Sequence, residues 1–424
     1  MGIETFAVID RAESGPSARS RASLLSTASG VVIALAAGVA GTTLLAPAAT
    51  AADYPVANST EIQNAVTAAA TDPDSASFSL LNDIVVDNVL LTPALAPQGL
   101  TIDTTGGHTL TLNGAGTVWN AGSYTDFSID GSTDGGLTLS SGTRLKIDDN
   151  PSNSQPYGFL DLRTGNLKVT GAGTSLTSNY LSVGRGGNGT VEITDGAHVI
   201  SGSATLGEDP GSTTATSISV LADGPGTLWE ADYFAAGVSG GNADLTLSGG
   251  AMIDSNNAAI GRNGSASMLV TGAGTSFVVA GDLHVGERSF WLSDPGLGDG
   301  ALTISDGGLV SASSVRLGWT GTNTPDAGVT GALVVDTGGT LETGELAPGL
   351  GTGTATFNNG TLRATGNDVS LIHGFAYGDL VLEGSGMFLD SNGFDVVAES
   401  AMSGAGALTK EGAGKLTLTG HNTY

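Results

Sequence analysis

The chain has 424 residues, 40% of them hydrophobic and only 13% charged, with 67 glycines and no cysteine. Its 14 basic residues stand against 41 acidic ones, a formal charge of −27 that repels nucleic acid and anionic lipid, so no nucleic-acid partner is expected. Glycine does not recur at every third position, which excludes collagen, and Val, Leu and Ile come in short regular runs, which excludes a disordered chain. Without cysteine the fold must be held by burial and backbone hydrogen bonds, and a chain that cannot form a premature disulfide suits unfolded passage through an envelope.

Residues 1–23 are polar, and Arg11, Arg19 and Arg21 cancel Glu4, Asp10 and Glu13. An apolar run follows from Leu24 to Pro47, then the small-x-small triplet Ala49-Thr50-Ala51. Residues 1–51 therefore read as a Sec signal peptide with an extended n-region, cut after Ala51, with a retained membrane anchor as the alternative. Export through the periplasm to the cell surface, outer membrane or medium is expected. Arg19-Ser20-Arg21 is not a twin-arginine pair, and no later segment has the length of apolar sequence that a transmembrane helix needs.

Residues 52–110 read as an N-terminal cap and first coils. Ile62, Ala65, Val66 and Ala69 fall at helical spacing within residues 58–70, and Thr60 with Gln63 forms a candidate capping box. Short strands are predicted at 78–81, 84–86, 89–91, 100–102 and 109–112. A helix laid over the first coil would cover the open end of a solenoid.

Residues 111–400 repeat. Gly114-Ala115-Gly116-Thr117, Gly171-Ala172-Gly173-Thr174, Gly224-Pro225-Gly226-Thr227 and Gly272-Ala273-Gly274-Thr275 are spaced by 171 − 114 = 57, 224 − 171 = 53 and 272 − 224 = 48 residues. A second element, an alternating strand ending at a Gly turn, recurs as Val191-Glu192-Ile193-Thr194-Asp195-Gly196, Leu245-Thr246-Leu247-Ser248-Gly249-Gly250 and Leu302-Thr303-Ile304-Ser305-Asp306-Gly307. Three units carry a further short strand ending in Gly184, Gly237 or Gly286. Such short strands are unstable as hairpins but can stack in parallel. With roughly 20–25 residues per coil, each unit is about two coils. The expected fold is all-β, a right-handed parallel β-helix of the pectin-lyase-like solenoid type with a short N-terminal capping helix. Roughly 370 mature residues would make about 15 coils, on the order of 70 Å at ~4.8 Å each. A β-sandwich array is the runner-up, but its Asn-Gly hairpin turns do not recur at one position of the repeat.

Residues 401–424 include Gly404-Ala405-Gly406-Ala407-Leu408-Thr409-Lys410-Glu411-Gly412-Ala413-Gly414-Lys415-Leu416-Thr417-Leu418-Thr419-Gly420-His421-Asn422-Thr423-Tyr424. This stretch closely resembles the passenger-associated transport repeat, or autotransporter-associated β-strand repeat, and meets its Gly-x-Gly-x-Leu-Thr-Lys-x-Gly-x-Gly-x-Leu-x-Leu-x-Gly-x-Asn-Thr-Tyr pattern at every fixed position. The resemblance implies the passenger of an autotransporter, exported by type V secretion through an outer-membrane β-barrel translocator as its partner. A structural or adhesive cell-surface stalk is the expectation, contacting host or cell-surface glycans or proteins. The chain carries no such barrel and stops inside the motif at Tyr424, so a truncated passenger is expected. Leu408, Leu416 and Leu418 are expected in the core, with Lys410 and Lys415 solvating a face.

No enzyme chemistry stands out, and no catalytic, cofactor-binding or metal-binding residue is assigned. His108, His198, His284, His373 and His421 lack zinc-motif spacing, and no Gly-x-Ser-x-Gly elbow precedes a helix. The alternative is a pectate-lyase-like polysaccharide enzyme, with Asp130, Asp134, Asp148 and Asp149 near Arg144 and Lys146 as its acidic stretch. A passive spacer is the third reading. Asp195-Gly196, Asp223-Gly224 and Asp306-Gly307 are weak Ca²⁺ candidates. Trp119 and Trp229, at one offset from their turns, are expected to pack at a corner rather than to stack on sugar.

Overall fold

A computed structural model describes residues 52–69, 76–91, 99–121, 126–147, 158–208, 216–289, 298–322 and 324–424. The proposed signal peptide, Asp148 and Asp149 lie outside the described residues. Among the described residues, the regular secondary structure is all β-strand apart from one helix.

Alternation builds the first face. In Gly189–Thr194, Val191 and Ile193 point inward and are fully buried, while Thr190 and Glu192 point out. Val191 pairs in parallel with Leu167 on one side and Val220 on the other, and Val220 pairs with Leu245. Such neighbours line up in a thirteen-strand sheet running from Ile84–Asp87 to Ser403–Gly404. Successive coils are 191 − 167 = 24, 220 − 191 = 29 and 245 − 220 = 25 residues long, so the repeat unit is indeed two coils.

The other two faces belong to a 22-strand sheet. Its central strands run across a bend. In His198–Glu208, Val199 and Ser201 point in, Gly202 and Ser203 are both on the outside, and Ala204 and Leu206 point in again. Two adjacent outward residues turn the strand from the second face to the third. Toward the ends of the sheet the bend opens and two short strands take the place of one. Arg144–Ile147 and Phe159–Leu162 both pair with Ser175–Val183, and Thr340–Thr343 and Leu346–Pro348 both pair with Leu309–Trp319. Every pairing between these strands is parallel, as a β-helix requires and a sandwich of hairpins forbids.

The corner between the first and second faces explains why the sequence repeats every two coils. Short turns such as Ser141-Gly142 and Asp195-Gly196 have positive φ at both residues. They alternate with Gly-x-Gly-Thr turns, whose threonines Thr117, Thr174, Thr227 and Thr275 are buried. Each threonine hydroxyl accepts an N–H from the short turn one coil earlier: Gly142 to Thr174 at 2.8 Å, Gly196 to Thr227 at 3.0 Å, Gly250 to Thr275 at 2.9 Å. Val89 does the same to Thr117 at 3.3 Å. Thr174 and Thr227 also donate to the carbonyls of Thr170 and Asp223, each at 2.8 Å. One turn type thus satisfies backbone donors of the other.

Trp119 and Trp229 lie wholly inside, edge-on to Phe127 and Phe234 at 5.3 and 5.2 Å, so they serve packing and offer no sugar platform. At the N-terminal end, the helix Ser59–Ala69 buries Ile62, Ala65, Val66 and Ala69 against the first strands. Its cap lies two residues earlier than expected. Asn58 Oδ1 accepts the N–H groups of Thr60 and Glu61, and Glu61 accepts the N–H of Ala57, so the pair is Asn58–Glu61 and not Thr60–Gln63. At the other end, Leu408–Glu411 and Leu416–Leu418 pair with Met387–Asp390 and Val396–Ala398. Leu408, Leu416 and Leu418 sit opposite the buried Met387, Val396 and Ala398, as expected for a core row. Their burial is a correction, however. Leu408 and Leu416 are only half-buried and Leu418 is 39% exposed, because these strands pair on one side alone.

Candidate functional site

The most elaborate group of side chains sits on the third face, built by four consecutive coils. Phe234, Ile260, Leu283 and Leu317 fill the core there, which directs Tyr233 and His284 outward. Each strand then reaches a glycine with positive φ: Gly237, Gly261, Gly286 and Gly318. Only glycine fits, since a Cβ on Gly261 would lie 2.2 Å from the Asp299 carbonyl oxygen. The kink after it sets Arg262, Glu287 and Trp319 side by side on three coils. The strand Ser276–Glu287 also carries one residue more than its neighbours, and the resulting bulge brings Asp282 to the same place. Asn257 Oδ1 accepts the Asp282 N–H at 3.0 Å and pins that bulge.

These residues line a cleft of about 380 Å³. The Arg262 guanidinium lies over the Tyr233 ring, 5.0 Å from its centroid. Arg262 Nη2 donates to Ser289 Oγ at 3.1 Å, and its Nε, buried and without a hydrogen-bond acceptor, stands 3.4 Å from Glu287 Oε1. The other Glu287 oxygen is 2.9 Å from His284 Nδ1, and the His284 ring stacks on Trp319 at 5.2 Å. Glu287 is therefore held between a cation and an imidazole with only 10% of its side chain exposed. Ser289 is fixed from behind by Asn263, whose Nδ2 donates to the Ser289 carbonyl and whose Oδ1 accepts its N–H. Burial, and then the nearby Glu287, push the Tyr233 phenol above its ordinary pKa against the pull of Arg262, so it stays a protonated donor.

A second, slightly larger groove of about 440 Å³ follows the bend between the second and third faces. Its polar groups are mostly Ser, Thr, Asn and acids such as Glu230, Asp232 and Asp254, with neither an aromatic ring nor a cation.

The residues weighed from the sequence are dispersed. His198 bonds Glu230 at 2.6 Å, His108 lies 3.7 Å from Asp83, His373 meets Glu345, and His421 is exposed. Only His284 enters the cleft. Asp130 is paired with Arg163, 3.6 Å away, rather than with Arg144 or Lys146. Arg163 also holds Asp161 at 3.0 Å, whose carboxyl burial pushes above the usual range. The corner carboxylates bridge hydroxyls of adjacent coils: Asp195 accepts from Thr170, and Asp223 from Ser248. Among the described residues no three His, Asp or Glu converge as a metal site.

Tyr233, Arg262, Glu287 and Trp319 escaped the sequence reading. A signal for three of them exists: Ala235-Ala236-Gly237-Val238, Ala259-Ile260-Gly261-Arg262, His284-Val285-Gly286-Glu287 and Arg316-Leu317-Gly318-Trp319 recur once per coil. Aligning every coil on that glycine, instead of every second coil, brings the row into view. No family model, curated protein or solved structure matches the chain.

Proposed function

We propose that the protein is the exported passenger of a type V secretion system, a non-enzymatic β-helical stalk displayed on the cell surface with an adhesive role. The observation that carries this reading is the place of residues 404–424. The stretch that resembles the passenger-associated transport repeat forms strands that continue the same parallel stack on Met387–Asp390 and Val396–Ala398. Residues 404–424 thus form a coil of this solenoid, which supports the reading. The signal-peptide reading of residues 1–51 supports export, and the net charge of −27 suits a soluble surface. The partner of export is an outer-membrane β-barrel translocator.

Protease shaving of intact cells expressing the full gene tests the proposal. Added protease should remove the protein from whole cells while a periplasmic marker survives. Protection of the protein in whole cells, with digestion only after lysis, would refute it.

A further inference from the structure

We infer that the cleft lined by Tyr233, Arg262, His284, Glu287 and Trp319 binds a neutral pyranose unit of a glycan. This deepens the adhesive part of the proposed function and rests on it for biological meaning, although the binding itself needs only the folded chain.

Three features point to this ligand class. The cleft joins ring surfaces with polar groups, the combination that suits a sugar, whose C–H face is apolar and whose rim is hydroxylated. Tyr233 Oη, His284 Nε2 and Trp319 Nε1 have no hydrogen-bond partner among the described residues, though each residue lines the cleft. Tyr233 and Trp319 offer donors to sugar hydroxyls, while His284 Nε2, whose ring donates from Nδ1 to the Glu287 carboxylate, joins Glu287 and Asp282 as an acceptor. The charge balance then selects within the class. Arg262 is matched by Glu287, and Asp282 is left over, so the cleft has no surplus cation for a uronic, sialic or sulfated sugar. Its volume of about 380 Å³ falls within the roughly 300–1,000 Å³ of small-ligand sites.

The site is also built to hold its shape. The glycine kinks fix the Arg262–Glu287–Trp319 row, Asn263 anchors Ser289, and Arg288 donates its backbone N–H to the Trp319 carbonyl at 2.8 Å while its side chain pairs with Asp326. Preorganisation of this kind lowers the entropic cost of binding.

Saturation-transfer difference NMR on the purified protein tests the inference, using the methyl glycosides of D-galactose, D-glucose, D-mannose, N-acetyl-D-glucosamine and D-glucuronic acid as probes. At least one neutral glycoside should receive saturation on its ring C–H protons. Tyr233→Phe, which keeps the ring and removes one donor, should weaken that binding about five- to tenfold. Trp319→Ala should abolish it, and Glu230→Gln in the other groove should leave it unchanged. Each variant is checked for the wild-type melting transition, and Tyr233→Phe decides if Trp319→Ala unfolds. The inference is overturned if no neutral glycoside binds, if Tyr233→Phe binds as wild type does, or if the glucuronide is preferred. Because the assay uses purified protein, its failure falls on the cleft alone, while protection from protease on whole cells falls on the display proposal alone.

Discussion

Replacing Thr174 by Val keeps the shape of the corner and removes one oxygen. That oxygen accepts the Gly142 N–H at 2.8 Å and donates to the Thr170 carbonyl at 2.8 Å, and Thr174 is fully buried. Valine leaves a buried N–H and a carbonyl unpaired. Two lost bonds at about 1 kcal/mol each, plus part of the desolvation penalty of the stranded donor, give about 2–3 kcal/mol. The loss is local, because each coil of a solenoid contacts chiefly its neighbours. Hydrogen exchange at the Gly142 amide reads it directly: exchange should accelerate ~30- to 150-fold, at tenfold per 1.4 kcal/mol. Thr174→Ser keeps the hydroxyl and should retain most of the protection. Thr138→Val, on the outer surface of the first face, should change stability by less than about 0.5 kcal/mol. Gly142 exchange within twofold of wild type in Thr174→Val would refute the idea that one turn type satisfies the other.

Phe234→Ala should cost about 3–5 kcal/mol in urea unfolding, since the ring is fully buried against Trp229 and Phe277. Gly261→Ala should lower the melting temperature and disturb the Trp319 fluorescence, because a positive φ and a Cβ 2.2 Å from the Asp299 carbonyl oxygen oppose any side chain there. The pKa of Asp161 is raised by burial, against the hydrogen bond and charge of Arg163. Folded protein therefore binds this proton more tightly than unfolded protein. Its contribution to stability falls as pH rises from the ordinary carboxyl value of 3.8 through the raised one. Asp161→Asn should remove that slope, so its stability relative to wild type should be higher at pH 7 than at pH 3 in paired denaturation curves. A difference that does not change with pH would contradict the assignment.

Much of the fold was legible because burial writes itself into alternation. Val191 and Ile193, or Leu245 and Leu247, can be read as inward residues from their spacing, and the helix over Ser59–Ala69 from its apolar stripe. The length of the repeat was also legible, although its cause was not. That Thr174 caps a donor on Gly142, 174 − 142 = 32 residues away, depends on how coils of unequal length come into register. The bend at Gly202-Ser203 was hidden for a related reason. Two adjacent outward residues look like a loop in sequence, yet here they continue one strand. The cleft was least legible. Outward positions carry no hydrophobic pattern, and Tyr233, Arg262, Glu287 and Trp319 come together only once four coils are stacked. Leu418 shows the opposite limit: spacing fixed its direction, but burial needs a partner on both sides.

The most direct test of both export and fold uses the absence of cysteine from the chain. Asp244→Cys places a thiol at an exposed position of the first face, and Leu247→Cys places one three residues on, in the fully buried row. Intact cells expressing the full gene are treated with a membrane-impermeant maleimide. The thiol at 244 should be labelled on whole cells, and the thiol at 247 only after denaturation. Labelling of neither thiol until the cells are lysed would contradict display at the surface. Equal labelling of both on intact cells would contradict the β-helical register.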